Sequence, residues 1–505
     1  MNFKSHIAAL SLLCAAPYHT LAQGTLDPTF GDGGISVVHI GGSESRPTSI
    51  TVEPDGRILL TGRIGEFMTA PVPVVVRLLP DGPLDSAFAV DGKAIGPVSG
   101  EYREYLGLLR RPNGQILTHG STGIASLIAR YTPTGILDST FGTNGLATNI
   151  QGYIDPVFDL ALDADGNIVG VGITDLGGGS QVLKLLRWLP DGTPDSTFSE
   201  DGVATLSANL GSTTNGSLLC VLADGRYLVA GGAGSLSGSY TIFMRINTDG
   251  SVDESFGVNG VVIVELGTSP PGVGDMFVDD LGRIVIAGAL NNTLTGADVY
   301  VARFLADGAP DNSFGTNGTR VIELPFDQYG KNVRELPNGN LVFQGTGAIG
   351  SGYGEIMLAL CDANGQLING FGDGGLVVHT LPDLSDPGTM DVQPDGKIVV
   401  TYSMNNNIDG NDYLVARFLN DLNVSATASD NTGTTRVWPN PVQNVLHFTS
   451  DERVIRSALI GANGKLVRTF APTERELDVR DLPSGTYMLE VVTGLGRTTR
   501  AVVKR

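Results

Sequence analysis

The stretch Leu26-Asp27-Pro28-Thr29-Phe30-Gly31-Asp32-Gly33-Gly34 decides the fold, because the chain writes it again and again. Its Phe recurs as Phe88, Phe141, Phe198, Phe256, Phe314 and Phe371, at spacings of 53 to 58 residues. A second set of marks keeps step with the first. The turn glycines Gly56, Gly114, Gly166, Gly225, Gly282, Gly339 and Gly396 each precede a short apolar run such as RILLTG (57–62). A period of this length marks a repeat architecture.

Each unit holds the same pieces in the same order. In the first, the alternating run SITVEP (49–54) leads to a turn at Asp55-Gly56, and RILLTG follows. After a variable loop come VVVRLLP (74–80), the turn Asp81-Gly82, the Asp-x-x-Phe motif and one more apolar run. Four strands per unit, joined by Gly and Asp turns, is the pattern of a propeller blade.

The ends of the array say how it is arranged. In a complete unit a strand Arg is followed by Gly, Asp and Phe at fixed steps, as in Arg303, Gly308, Asp311 and Phe314. The seventh unit reaches Arg417 and then stops matching, with Leu422 where Gly belongs. The missing piece stands at the other end of the chain, as Gly24, Asp27 and Phe30. A ring needs that match and an open solenoid does not; pairing the two ends also covers exposed sheet edges. The pattern predicts an all-β chain: a seven-bladed β-propeller over 23–419, closed by N- and C-terminal strands, with ISVVHI (35–40) as the outer strand of the last blade. A β-helix is the alternative, though its coils are normally much shorter.

Composition narrows the class. Glycine is abundant (69 of 505 residues) and only 17% of residues are charged, as expected of strands between tight turns. Residues 1–22 read as a secretory signal: Lys4 is their only charge, an apolar stretch runs from 7 to 16, and Thr20-Leu21-Ala22 offers small residues for cleavage. That stretch is too short to span a bilayer, and no later segment qualifies as transmembrane. Beyond it stand Cys220 and Cys361, at non-equivalent positions, which reads as two buried thiols rather than a disulfide framework. From 23 to 436 there are 21 basic against 46 acidic residues, a net of −25, whereas 437–505 carries +3. A body so acidic repels nucleic acid and anionic membrane, and leaves cations, neutral glycans or basic proteins as partners.

The recurring charges fall into pairs. Arg77, Arg130, Arg187, Arg245, Arg303 and Arg417 lie on the third strand of their units, and Asp85, Asp138, Asp195, Asp253 and Asp311 follow them, with Asp27 serving Arg417. The sixth unit has Leu360 for the Arg and Ile368 for the Asp. Loss of both charges together is the behaviour of a partly buried ion pair, since one partner alone would be left uncompensated. An Arg–Asp contact is therefore expected within a blade or between neighbours. The Phe-Gly pair is expected to plug the space between blades, with Gly permitting the tight turn after it.

The motif Pro-Asp-Gly-x-Leu-Asp-x-x-Phe-Gly, with a strand ending Val301-Ala302-Arg303-Phe304, resembles the bacterial delta-60 repeat family over residues 24 to about 419. Single motif positions depart from it at Ala89, Leu281, Leu360 and Ile368. That resemblance implies an extracellular or envelope protein and says little about chemistry. Residues 420–436, rich in Asn, Ser, Thr and Asp, read as a linker. The remainder, 437–505, resembles the C-terminal sorting domain of the type IX secretion system of Bacteroidetes. Trp438-Pro439-Asn440-Pro441, Asn463-Gly464-Lys465, Leu482-Pro483-Ser484-Gly485-Thr486-Tyr487 and the basic end Lys504-Arg505 carry the likeness. It implies passage through the outer membrane by that machinery, and then release or attachment at the cell surface. Independently, four short apolar runs in this tail predict a small β-sandwich.

In an up-and-down propeller the uniform turns share one face and the variable loops the other, where binding usually lives. The variable loops hold Tyr102, Tyr105, Tyr153, Phe326 and Tyr329 beside Glu101, Glu104, Asp155 and Asp327. Aromatics next to carboxylates suit a sugar, although ordinary surface residues would look the same. Asn405, Asn406, Asn407, Asp409 and Asp412 offer oxygen ligands for Ca²⁺, with a solvated turn as the plainer reading. No catalytic, cofactor or metal motif stands out. Two functions remain: a non-catalytic binding protein for a glycan or protein, and a secreted glycan-active hydrolase or lyase with its site on the variable-loop face.

Overall fold

The computed structural model describes residues 23–420 and 436–505, less the short stretches 66–69, 98–103, 123–124, 150–155, 176, 178–180, 212, 236–237, 268, 293–295, 325–326, 350–351, 382, 407–409, 440–441, 451–452, 462–465, 484 and 494–495. Among the described residues all regular structure is β-strand. In the first unit the strands Arg46–Val52, Ile58–Ile64, Val72–Leu78 and Lys93–Ile95 form one antiparallel sheet in chain order. The two middle strands, ILLTGRI and VPVVVRL, are almost continuously buried because both faces of the sheet are covered, so their apolar residues run together rather than alternate. Gly56 and Gly82 make the intervening turns at φ +87° and +113°, where a side chain would be strained.

The same four-strand order repeats at 104–149, 272–322 and 328–380. The units at 157–206 and 213–264 are linked into one eight-stranded sheet by a single parallel bridge, Gln181 to Thr213. The last sheet takes Leu384–Val392, Ile398–Asn405 and Asn411–Phe418 from one end of the repeats and Ile35–Val38 from the other. Ile35 lies opposite Ala416 and Val38 opposite Tyr413, in antiparallel register. Asp27 N–H donates to the Arg417 carbonyl and Gly24 N–H to the Leu419 carbonyl, both at 2.8 Å.

The core lies between sheets rather than within one. Leu59, Val75 and Phe88 of the first unit pack on Tyr105, Leu108 and Leu127 of the second. Val74 and Val76 pack on Phe30, Val399, Tyr413 and Val415 of the last. All seven motif Phe residues are buried. A Cβ placed on Gly135, Gly192, Gly250, Gly308 or Gly365 would press on the Phe ring of the preceding unit. The residue after each Phe turns at positive φ, between +47° and +56°, even where it is Ala89 or Ser199.

The tail is two facing sheets. One holds Arg436–Trp438, Val445–Thr449 and Glu476–Asp478; the other holds Leu466–Phe470, Val454–Gly461, Gly485–Thr493 and Gly496–Lys504. Leu446, Phe448, Leu459, Leu489 and Val491 fill the space between them.

Candidate functional site

The repeated Arg is the most heavily used side chain of the propeller region. Nε of Arg77, Arg130, Arg187, Arg245 and Arg303 donates to Oδ2 of Asp85, Asp138, Asp195, Asp253 and Asp311 at 2.7–2.9 Å. In the last unit Arg417 meets Asp27 through Nη2, 2.9 Å from Oδ2. The same guanidinium lies over the ring of Phe88, Phe141, Phe198, Phe256, Phe314 or Phe30, 4.5–4.8 Å from its centroid. Its Nη1 then reaches the next unit, donating to the carbonyl of Pro133, Pro190, Thr248, Ala363 or Pro80. The residue after the turn glycine is a further partner: Gln115 donates to Asp138 at 3.1 Å, Lys397 stands 3.2 Å from Asp27, and Arg226 pairs with Asp253. In the sixth unit buried Leu360 and partly buried Ile368 stand in the equivalent places, and the backbone bond between them is kept. Copies in six of the seven units make this an architectural device, not a reaction centre.

A second set of polar groups sits on the first strands, and its members differ from junction to junction. Asp159 Oδ2 accepts the backbone N–H of Leu219 in the next unit, and Asp275 Oδ2 accepts from the backbone N–H of Val333 and the side-chain Nδ2 of Asn332. Asn332 Oδ1 accepts from Met390, Thr389 Oγ1 from Ile50 and Asp391 Oδ2 from Val52. Between the second and third units His119 takes over, its Nδ1 3.1 Å from the Val157 carbonyl and its Nε2 filling the place of the side chain Gly107 lacks. Arg334 joins the carboxylates, with Nη1 2.5 Å from Asp275 Oδ2 and Nε 3.7 Å from Asp391 Oδ1.

Burial shifts several groups in this cluster and beyond it. Burial, aided by the Asp275 charge, pushes Asp159 up to about 7 against its bonds from Leu219 and Leu160. Burial likewise raises Asp391, with Arg334 opposing. Half-buried Cys220, whose Sγ is 3.7 Å from the Met276 carbonyl, is pushed up to about 12 by burial and by Asp159 and Asp275. Cys361 is buried and pushed to about 12 chiefly by the same desolvation. His119 is depressed to about 4 by burial. Sequence reasoning did not single out Asp159, Asp275, Arg334 or Asp391: Asp159 and Asp275 stand seven residues before the turn glycines Gly166 and Gly282, but other units place Asn332, Thr389 or Gly107 there.

The residues expected on a ligand face fare differently. Tyr102, Tyr153, Phe326 and Asp409, like Glu101, Asp155 and Asn407, lie outside the described residues. Tyr329 is 37% exposed at the start of the strand Gln328–Glu335. Two positions are corrected. Tyr105 is not a loop residue but a fully buried member of the strand Glu104–Arg110, with its hydroxyl 2.8 Å from that of Tyr131. Asp412 sits buried in the strand Asn411–Phe418, where His39 Nδ1 (2.9 Å) and Asn406 Nδ2 (3.1 Å) already engage its carboxylate. Among the described residues no group of three or more His, Cys, Asp or Glu is placed to hold a metal ion. Nor, among them, is any helix long and apolar enough to cross a membrane.

Repeated four-stranded sheets with inter-sheet cores define a β-propeller protein. Residues 53–88, 164–198, 222–256 and 282–314 match the family described as a domain of unknown function (DUF5122) beta-propeller, and 436–505 match the secretion system C-terminal sorting domain. The chain therefore carries DUF5122-type propeller repeats followed by a sorting domain that directs it to the cell surface or beyond and engages the secretion machinery. No curated protein matches it in sequence. Among solved structures it is similar to PorZ, a surface component of the type-IX secretion system of Porphyromonas gingivalis, at 10% identity and TM-score 0.30, over 89% of this chain and 68% of that one. It is also similar to a protein of unknown function from Dyadobacter fermentans (11%, TM-score 0.37, 76% and 97%). A polysaccharide lyase acting on ulvan is a third (12%, TM-score 0.42, 76% and 95%). At these identities none of the three carries a function across.

Proposed function

We propose that residues 23–419 form a seven-bladed propeller closed by strands from both ends, and that the mature protein is a non-catalytic binding protein delivered through the type IX secretion system. On this reading 1–22 is a cleaved signal, 420–436 a linker and 437–505 the sorting tail. Closure is supported by the pairing of Ile35–Val38 with Asn411–Phe418, and by the bonds from Ile50 and Val52 N–H to Thr389 and Asp391. The binding reading rests on one observation: the clustered carboxylates Asp159, Asp275 and Asp391 each accept backbone N–H bonds from a neighbouring unit. Groups so engaged act as latches between sheets. A ligand is left to the variable-loop face, where Tyr329 stands partly exposed at the start of its strand with Asp327 near it in sequence; Tyr102, Tyr153, Phe326 and Asp409 are the further candidates the sequence offers. A glycan or a protein would suit that face, with Ca²⁺ as a candidate aid.

The competing reading, a glycan-active hydrolase or lyase, would start from Asp159, whose titration near 7 suits a general acid. Both its oxygens are taken, however, by Leu160 N–H at 2.8 Å and Leu219 N–H at 2.9 Å. A panel of polysaccharides incubated with the protein, with and without Ca²⁺, separates the two. The binding reading expects retention without new reducing ends or unsaturated products. Cleavage that Asp159→Asn abolishes would replace it with the enzyme.

A further inference from the structure

We propose that the junction between the units 213–264 and 272–322 is a peptide-binding cleft on the face of the uniform turns. The inference is independent of any ligand on the variable-loop face. It comes from comparing this junction with five others, where two donors close the gap. An Arg Nη1 and the N–H after the motif Phe donate to two successive carbonyls of the next unit's turn. The pairs are Pro133 and Thr134, Pro190 and Asp191, Thr248 and Asp249, Ala363 and Asn364, and Pro80 and Asp81. Where the sixth unit has Leu360, the N–H bond alone is kept, from Gly372 to the Gln23 carbonyl.

At the junction after the fourth unit neither bond forms. The equivalent acceptors are the carbonyls of Ala306 and Asp307. Arg245 keeps Nε on Asp253 and Nη2 on Ser255, and among the described residues its Nη1 and the N–H of Gly257 have no partner. A cavity of about 460 Å³ lies there instead, lined by Leu222, Leu228, Arg245, Val278, Ile284 and Ala306, among others. A second of about 460 Å³ opens between the outer strands of the same two units, at Glu265, Leu266 and Arg320. The volume is in the range of true ligand sites. The Arg245 side chain is 13% exposed, and its Nη1 is reached by solvent rather than sealed off, so it is open to an incoming acceptor.

The chemistry of the occupant follows from what fills the other junctions: two consecutive peptide carbonyls. The rim carboxylates do not compete for Arg245, because each has its own cation. Asp224 is held by Arg226, Asp279 by Arg283 at 2.7 Å and Asp280 by Arg456 of the tail at 2.6 Å. The floor is apolar, from Val221, Leu222, Leu228, Val278 and Ile284. An extended peptide with a small apolar side chain therefore supplies both missing acceptors and covers the floor.

The test is saturation-transfer NMR on the full chain with the capped peptide N-acetyl-Ala-Leu-Ala-amide as probe and N-acetylglucosamine as comparison. Arg245→Lys keeps a charge for Asp253 but loses the forked donor; Arg187→Lys makes the same change at a closed junction and controls for damage to the fold. Peptide signals that weaken about tenfold in affinity in Arg245→Lys, and are unchanged in Arg187→Lys, are expected for a charged donor. No transfer to the peptide, transfer to the sugar alone, or equal losses in both variants would overturn the assignment, as would a bond from Arg245 to Ala306 that closes the cleft in solution.

Discussion

Arg417 and Asp27 stand near opposite ends of the repeat region and 2.9 Å apart, with side chains 5% and 2% exposed. Lys397, at 3.2 Å, adds a second cation to the carboxylate. Removing one member of such a pair strands the other in a dry site, which is costlier than removing both. Asp27→Ala is expected to lower stability by about 3 kcal/mol in urea unfolding. The pair Asp27→Ile with Arg417→Leu, copying the sixth unit's Ile368 and Leu360, is expected to recover most of it. Equal losses in the single and double variants would show that the charges do not depend on each other.

Ala89 follows Phe88 at φ +47°, where five of the other units place glycine. An L side chain in that region carries a steric cost of about 1 kcal/mol. Ala89→Gly is therefore expected to stabilise the protein by about that amount less the entropy of the freer unfolded chain. Thermal unfolding with a raised midpoint meets the expectation; a lowered one contradicts it.

Gly107 leaves the room that His119 Nε2 occupies, so a methyl group there would collide with the imidazole. Gly107→Ala is expected to cost about 2 kcal/mol, as overpacking in a core does. In a His119→Ala background the same change is expected to cost much less, which a double-mutant cycle measures. Additive effects would mean the two positions do not touch.

Asp159 titrates near 7 in the folded protein against an ordinary value near 4, because burial penalises its charge. The folded state thus holds a proton that the unfolded state has released. Stability from this group is present below pH 4 and is lost as pH rises towards 7. The facing groups are Asp275, Arg334 and Cys220. Asp159→Asn is expected to gain stability relative to the parent across pH 4 to 7, with the difference level above that. A difference independent of pH would remove the shifted titration.

The sorting domain at 436–505 carries the export address. Deleting 437–505 is expected to leave the propeller folded and held in the periplasm, which fractionation and immunoblotting would show. Secretion at the parental level would refute dependence on the tail.

How far the sequence could be read follows from what repeats. The Arg–Asp spacing was legible because both residues recur, and the backbone bond from each Asp N–H to its Arg carbonyl sets the two side chains side by side. That the same guanidinium stacks on Phe and crosses to the next unit was not, since nothing in the spacing says which way the third strand's side chain leans. The latches were illegible for a different reason. Asp159, Asn332 and Thr389 hold one repeat position and each accept a backbone N–H, but with three chemistries, and His119 meets a carbonyl instead, so no recurring residue type betrays them. Tyr105 was misplaced because the first strand of its unit begins earlier than its turn signals suggest, and its hydroxyl is satisfied inside by Tyr131.

The central claim is that the chain's two ends complete one sheet. Ile35 and Ala416 are opposite one another, and the bond from Arg417 N–H to the Gly34 carbonyl makes theirs the non-hydrogen-bonded, closer kind of pair. Cα atoms in such a pair lie about 4.5 Å apart, within reach of a disulfide. The measurement is oxidation of the folded Ile35→Cys/Ala416→Cys variant, read as a faster-migrating, reductant-sensitive band. Near-complete cross-linking is the result expected of a closed ring; thiols that stay free in a folded, secreted protein would mean the ends do not meet.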